Sequence, residues 1–185
     1  MTAAVGLDIS LSATGVAAIA HPSTASTPNV PHLRTVRPAR TYPATYAGRA
    51  QRIEAQAGAV IAALPSRVAL IVVEGLPLNM PSWGDLDLRC ALWWRVVGRL
   101  ARLGIPVAEI NPGTLKKFAT GNGRADKAQV IAAMRALWPY AAVRNDNEAD
   151  ALSLASAGAL DGLSWYHREA AHHHLDPKIW KDIRA

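Results

Sequence analysis

The sequence predicts an α/β fold with a mixed five-stranded sheet flanked by helices. Three observations carry this. Residues 3–9 and 14–20 are short apolar runs joined by the polar turn "SLSATG", and they read as a hairpin-like pair. "VALIVVEG", residues 68–75, is a continuous β-branched run of the kind that forms a central strand covered on both faces. Around these runs, segments of helical apolar spacing alternate with further short strands.

The remaining elements follow in order. "HPSTASTPNVP", residues 21–31, is rich in Pro, Ser and Thr and reads as a loop. "HLRTVR" alternates and reads as the third strand. From Tyr46 to Leu64, residues Ala50, Ile53, Ala57, Val60, Ile61 and Leu64 recur at helical spacing, and Pro65 ends that helix. "PLNMPSWGD" is a loop. A helix spans about 85–103, with Gly104 as its stop. "IPVAEI" is the fifth strand. "NPGTLKKFAT" begins a short helix after Asn111–Pro112. "GNGR" breaks the chain before a helix over 125–138, which Pro139 terminates, and a last helix covers 147–160. Residues 1–160 are expected to form one domain. Residues 161–185, mixed and poorly periodic, read as a tail or a helical extension of it.

Composition narrows the class. Of 185 residues half are hydrophobic and 18% are charged, which is a globular chain long enough to bury a core. The net charge of +6 favours an anionic partner, nucleic acid foremost, because Lys and Arg contacts to phosphate supply most non-specific affinity. The lone Cys90 excludes an intrachain disulfide and fits a reducing compartment. "MTAAVGLDIS" has no basic segment before its apolar run, and no apolar stretch approaches the roughly 20 residues of a membrane span. A soluble cytoplasmic protein without a membrane partner is expected.

The chemistry lies in the acids. Asp8 and Glu74 stand at the carboxyl ends of predicted strands, where sites in open α/β sheets gather. A third group opens the last helix in "NDNEADALSLA". There Asp146 and Asn147 share a face with Asp150, and Glu148 points elsewhere. Taken singly, Asp146 also fits an N-cap and Glu148 a first-turn acid matched to the helix dipole. Taken together, carboxylates converging within about 4 Å repel by roughly 4 kcal/mol per pair at an effective dielectric near 20. Such a group needs a cation, and all-oxygen ligation suits a hard ion, Mg²⁺ or Mn²⁺. Two such ions about 4 Å apart serve phosphodiester cleavage. "HHH" at His172–His174 reads as a solvated tail rather than a ligand set.

"VGLDISLSATGVAAI", "IVVEG", "NPGTLKKFATGNGRADKAQV" and "NEADALSLA" together resemble RuvC-type Holliday junction resolvases, especially their phage-borne branch, over about residues 3–160. The resemblance implies a ribonuclease H-like fold and a metal-dependent nuclease in a prokaryotic cell or phage-infected host. By position it makes Asp8, Glu74 and Asp150 catalytic metal ligands. It also places Lys116 and Lys127, eleven residues apart, beside the scissile phosphate, where cations offset transition-state charge. The sequence departs from the family twice. The other helix Asp is Asn147 here, so Asp146 is the expected fourth ligand and catalytic acid, with Glu148 as the fallback. The junction-wedging aromatic after Glu74 is replaced by Leu76, Leu78, Met80 and Trp83.

A DNA-binding surface is expected from Arg34 and Arg37 near the third strand and from Lys116, Lys117, Arg124 and Lys127 around "TGNGR". Trp93, Trp94, Val97 and Leu100 on the 85–103 helix read as core or dimer interface, and in the resembled family the equivalent helix builds a two-fold dimer. The expected activity is structure-selective cleavage of Holliday junctions and other branched DNA with two Mg²⁺ or Mn²⁺ ions. The alternatives are a branched-DNA-binding module with weak or no cleavage, and a ribonuclease H-like enzyme acting on RNA or hybrid.

Overall fold

The computed structural model describes residues 2–21, 29–76 and 85–162. Its sheet contains β1 (Ala3–Asp8), β2 (Thr14–Ala20), β3 (His32–Val36), β4 (Val68–Glu74) and β5 (Val107–Ile110), in spatial order β3-β2-β1-β4-β5. The β1–β2 and β2–β3 pairs are antiparallel, and β4 joins β1 and β5 in parallel. This is the mixed sheet the sequence predicts. The leading strands turn back directly, while β4 and β5 return through helical crossovers.

Helices α1 (Tyr46–Ala62) and α2 (Leu86–Arg102) cover one face. Val5, Leu7, Ile71 and Val73 pack there against Ile53, Val60, Leu92 and Val96. The other face carries α3 (Pro112–Thr120), α4 (Lys127–Leu137) and α5 (Asp146–Ala157). Ala4, Ala17 and Ile19 meet Ala151, Leu152 and Ala155 of α5, and Val72 meets Leu154. Because side chains alternate along a strand, Asp8 shares a face with Ala4, and Glu74 shares a face with Val72. Both acids therefore lie on the α5 side. Leu7 pairs with Val73, so the two strands reach their carboxyl ends level.

Boundaries differ from the sequence reading where caps decide them. Helix α4 starts at Lys127, because the Asp126 side chain accepts from the Gln129 N–H and Gln129 reaches back to the Asp126 N–H. Helix α5 is capped by Asn145, whose side chain accepts from the Glu148 N–H, so Asp146 is the first helical residue and not the cap. Helix α1 ends at Ala62, two residues short of Leu64. The last helix gives way at Gly158 to a π-helical turn, Gly158–Gly162, where a Cβ would stand 2.8 Å from Val72 Cγ2. Leu78, Met80 and Trp83, and all residues from 163 including His172–His174, lie outside the described residues. Among the described residues no helix is long and apolar enough to cross a membrane.

Two glycines set the distance between α5 and the sheet. A Cβ on Gly6 would fall 2.0 Å from the Ala151 carbonyl oxygen, and one on Gly15 would fall 2.0 Å from the Asn147 carbonyl oxygen. Backbone cannot yield as a side-chain tip does. Gly6→Ala is expected to force α5 outward at a cost of about 3 kcal/mol, lowering Tm by roughly 6–12 °C in thermal unfolding. An unchanged Tm would show that the helix is not seated this closely.

Candidate active site

Asp8, Glu74, Asp146, Asn147, Asp150 and Lys127 line one cleft of about 240 Å³ at the carboxyl ends of β1 and β4. Each wall is held from behind. The Ser10 N–H donates to Thr14 Oγ1 at 3.2 Å, and that hydroxyl donates to the Ser10 carbonyl at 3.0 Å, closing the turn after Asp8. Arg52 Nη2 ties the same turn to α1 through the Leu11 carbonyl. Trp93 Nε1 donates to the Glu74 carbonyl at 3.0 Å and fixes the end of β4 to α2. The N-terminal turn of α5 supplies the third wall.

The acids differ in their surroundings. Burial, then the charges of Asp150 and Glu74, pushes the Asp8 carboxyl from 3.8 up to about 8. Burial and then Asp150 raise Glu74 from 4.5 to about 7. Burial and then Asp146 raise Asp150 from 3.8 to about 6. Asp146 moves the other way. Its hydrogen bond with Lys127, with Nζ 2.5 Å from Oδ2, holds it below the ordinary carboxylate range and raises the Lys127 ammonium. Among the described residues Asp8, Glu74 and Asp150 thus share the cleft without an ion pair, although the charges of Lys127 and Lys116 act on them, and Asp146 has a direct one with Lys127.

Glu148 is turned away from the cleft. Its carboxylate, 1% exposed, accepts from the Arg144 guanidinium at 2.7 Å, from the Arg144 N–H at 2.9 Å and from Thr35 Oγ1 at 3.3 Å. It fastens the start of α5 to β3, which removes it as a fallback ligand. Asn147 is at the cleft. With its amide nitrogen facing the surrounding acceptors, it donates to Asp8 Oδ2 at 3.3 Å and to the Ala13 carbonyl at 3.1 Å.

Of the basic residues singled out in the sequence, Lys127 lines the cleft, and the charge of Lys116 on α3 acts on Glu74 and Asp150. Lys117 and Arg124 are exposed and do not line the cleft. Arg34 and Arg37 are not brought there. Arg34 lines a separate groove on the β3 edge with Thr35 and Arg144, and Arg37 is exposed beyond the end of β3. Arg89 and Trp93 of α2 line the acidic cleft and were not among the expected site residues. Their spacing of four residues, on one helix face, is the signal that was available.

The donor set suits a hard divalent cation: oxygen atoms of half-buried carboxylates whose mutual repulsion a cation relieves. As they stand, no three His, Cys, Asp or Glu side chains among the described residues form a closed metal-ligating group.

The raised acids set a pH dependence. Between about pH 4 and 8 the folded protein holds protons that the unfolded chain has released, so without metal its stability falls as pH rises. In EDTA, Tm is expected to decline from pH 5 to pH 8. Asp8→Asn should flatten that decline and exceed the parent at pH 8 by roughly 4–8 °C, the equivalent of about 2 kcal/mol. Parallel curves for the two proteins would mean that Asp8 is not desolvated.

No protein-family model matches the chain. Among curated proteins, a crossover junction endodeoxyribonuclease RuvC from Erythrobacter litoralis is 36% identical over 160 residues, spanning 86% of this chain and 93% of the relative. The enzyme of the same name from Sorangium cellulosum is 36% identical over 111 residues, 60% of each chain. Among solved structures, Thermus thermophilus RuvC superposes with a TM-score of 0.66 at 19% identity, covering 92% of this chain and 98% of that one. RuvC of the same organism in complex with a Holliday junction substrate gives 0.63 at 23% identity, covering 86% and 93%.

Proposed function

The chain belongs to the RuvC family of crossover junction endodeoxyribonucleases, and from that premise we propose that Asp8, Glu74 and Asp150 form its catalytic metal pocket. It is an endodeoxyribonuclease of ribonuclease H-like fold that acts on Holliday junctions. The observation that supports the pocket is the placement of three half-buried carboxylates, each raised by desolvation and by its neighbours, on one cleft with a lysine at its rim.

The proposed cofactor is a pair of Mg²⁺ or Mn²⁺ ions, which supply Lewis acidity for attack by water and for departure of the 3′ oxygen. The chain's own groups do the rest. Asp8, Glu74 and Asp150 provide the negative oxygens that hold the ions. Lys127 and Lys116 add positive charge where the scissile phosphate enters, which lowers the cost of the extra charge on the phosphoryl oxygens. Lys117, Arg124 and Arg89 extend that field along the strand, while Arg34 and Arg37 offer phosphate contacts at the far edge of the sheet. The Trp93 and Arg52 hydrogen bonds keep the walls in register as the strand docks.

A two-fold dimer through α2 completes the proposal, since paired strands at a four-way junction need paired cuts. Helix α2 leaves Trp94 63% exposed, a large apolar surface on a helix whose opposite face is fully used by the core. In sedimentation analysis the parent is expected to run as a dimer and Trp94→Glu as a monomer. A monomeric parent would remove this part of the proposal.

Cleavage is tested directly. With Mg²⁺ or Mn²⁺ the protein is expected to nick synthetic four-way junctions, and EDTA to abolish the cut. Asp8→Asn, Glu74→Gln and Asp150→Asn should each lose at least about 100-fold in kcat while still shifting junction DNA in a gel. Full cutting by Asp8→Asn would overturn the pocket. A gel shift without cleavage by the parent would favour a branched-DNA-binding module, and preferential competition by RNA–DNA hybrid would favour action on hybrid.

A further inference from the structure

We infer that this chain works with a pocket of three carboxylates, and that Asp146 is a positioning residue for Lys127 rather than the fourth metal ligand; this rests on the nuclease reading above. The family pattern leaves a neutral Asn147 where a helix acid is expected, and the neighbouring Asp146 is the natural replacement. The geometry points elsewhere. Asp146 Oδ2 is 2.5 Å from Lys127 Nζ, so its charge already has a partner.

The pair has a mechanical role. Lys127 is the first residue of α4, at the positive end of that helix, where a cation gains nothing from the dipole. Its side chain is 77% exposed, and left alone it would sweep through solvent. Asp146 is the first residue of α5, whose own N-terminus lies at the cleft. An acid at that end of a helix is favoured. The pair therefore joins the starts of two helices and directs the ammonium over the cleft. Asn147, one residue on, faces Asp8 and donates to it at 3.3 Å, so it orients an existing carboxylate without adding another. Asp146 at 34% exposed sits at the rim. The wall beside Asp8 is already taken by Asn147.

The test separates metal binding from catalysis in the full chain. Mn²⁺ is titrated against each protein by thermal shift, and junction cleavage is measured in parallel. Asp146→Asn is expected to keep the Mn²⁺ midpoint within about twofold of the parent, while Asp8→Asn weakens it tenfold or more. In cleavage, Asp146→Asn and Lys127→Asp should each lose tenfold or more in kcat. The charge-swapped double variant, Lys127→Asp with Asp146→Lys, should recover at least tenfold over Lys127→Asp alone, because it restores an ammonium at the rim. Asp146→Ser repeats the test with a second residue suited to a first helical turn. A tenfold weakening of the Mn²⁺ midpoint by Asp146→Asn, or a double variant no better than Lys127→Asp, would overturn the inference. If the parent cuts no branched DNA, the nuclease reading fails, and the Mn²⁺ titration still decides whether Asp146 is a ligand.

Discussion

The close seating of α5 on the β1–β2 hairpin is the constraint on which the site depends. Gly6 and Gly15 lack side chains where Ala151 and Asn147 present backbone oxygens. Only that approach brings the first turn of a helix level with the ends of two strands. The core on this face is built for it, with Ala4 and Ala17 on the sheet opposing Ala151 and Ala155 on the helix. Small residues shorten the distance between layers, and the polar groups at their edge are brought together as a consequence.

That proximity has an electrostatic cost, and the chain meets it unevenly. Asp8, Glu74 and Asp150 are half-buried with like charges for neighbours, and their protons are held to higher pH than those of ordinary carboxyls. Glu148, more deeply buried than any of them, is matched by Arg144 and Thr35. Asp146 is matched by Lys127. The first turn of α5 thus carries two acids that are already satisfied, and the next turn presents one, Asp150, that is not. A group held in an unfavourable protonation state by its fold is poised for a ligand that relieves it, and this distinguishes a working carboxylate from one that fastens the helix in place.

The same division explains the basic residues. Lys127 and Lys116 act on the cleft because α3 and α4 start near the ends of the central strands. Arg34 and Arg144 stand on a groove at the sheet edge, two strands removed from β1. Net positive charge is therefore divided between two places. One part acts on the acidic cleft, and another lies on a separate groove at the far edge of the sheet, where Arg144 is already paired with Glu148.

Strand and helix order was legible in the sequence because each element carries its own periodicity: the continuous run ending at Glu74, the helical spacing from Tyr46, the turn after Asp8. The face on which Asp8 and Glu74 lie follows from alternation along their strands, and the face shared by Asn147 and Asp150 follows from the helical repeat. These are local properties, and one dimension records them. The partner of each acid was not legible. That Asp146 is engaged by Lys127, nineteen residues away, and Glu148 by Thr35 across the sheet, depends on where α4 and β3 come to rest. The cleft residues Arg89 and Trp93 arrive from a helix that reads from sequence as core and interface. The amino-acid sequence by itself determined which carboxylates exist and at which end of the sheet they stand. Only tertiary packing decided which of them keep an unopposed charge, because desolvation and pairing are set by neighbours distant along the chain.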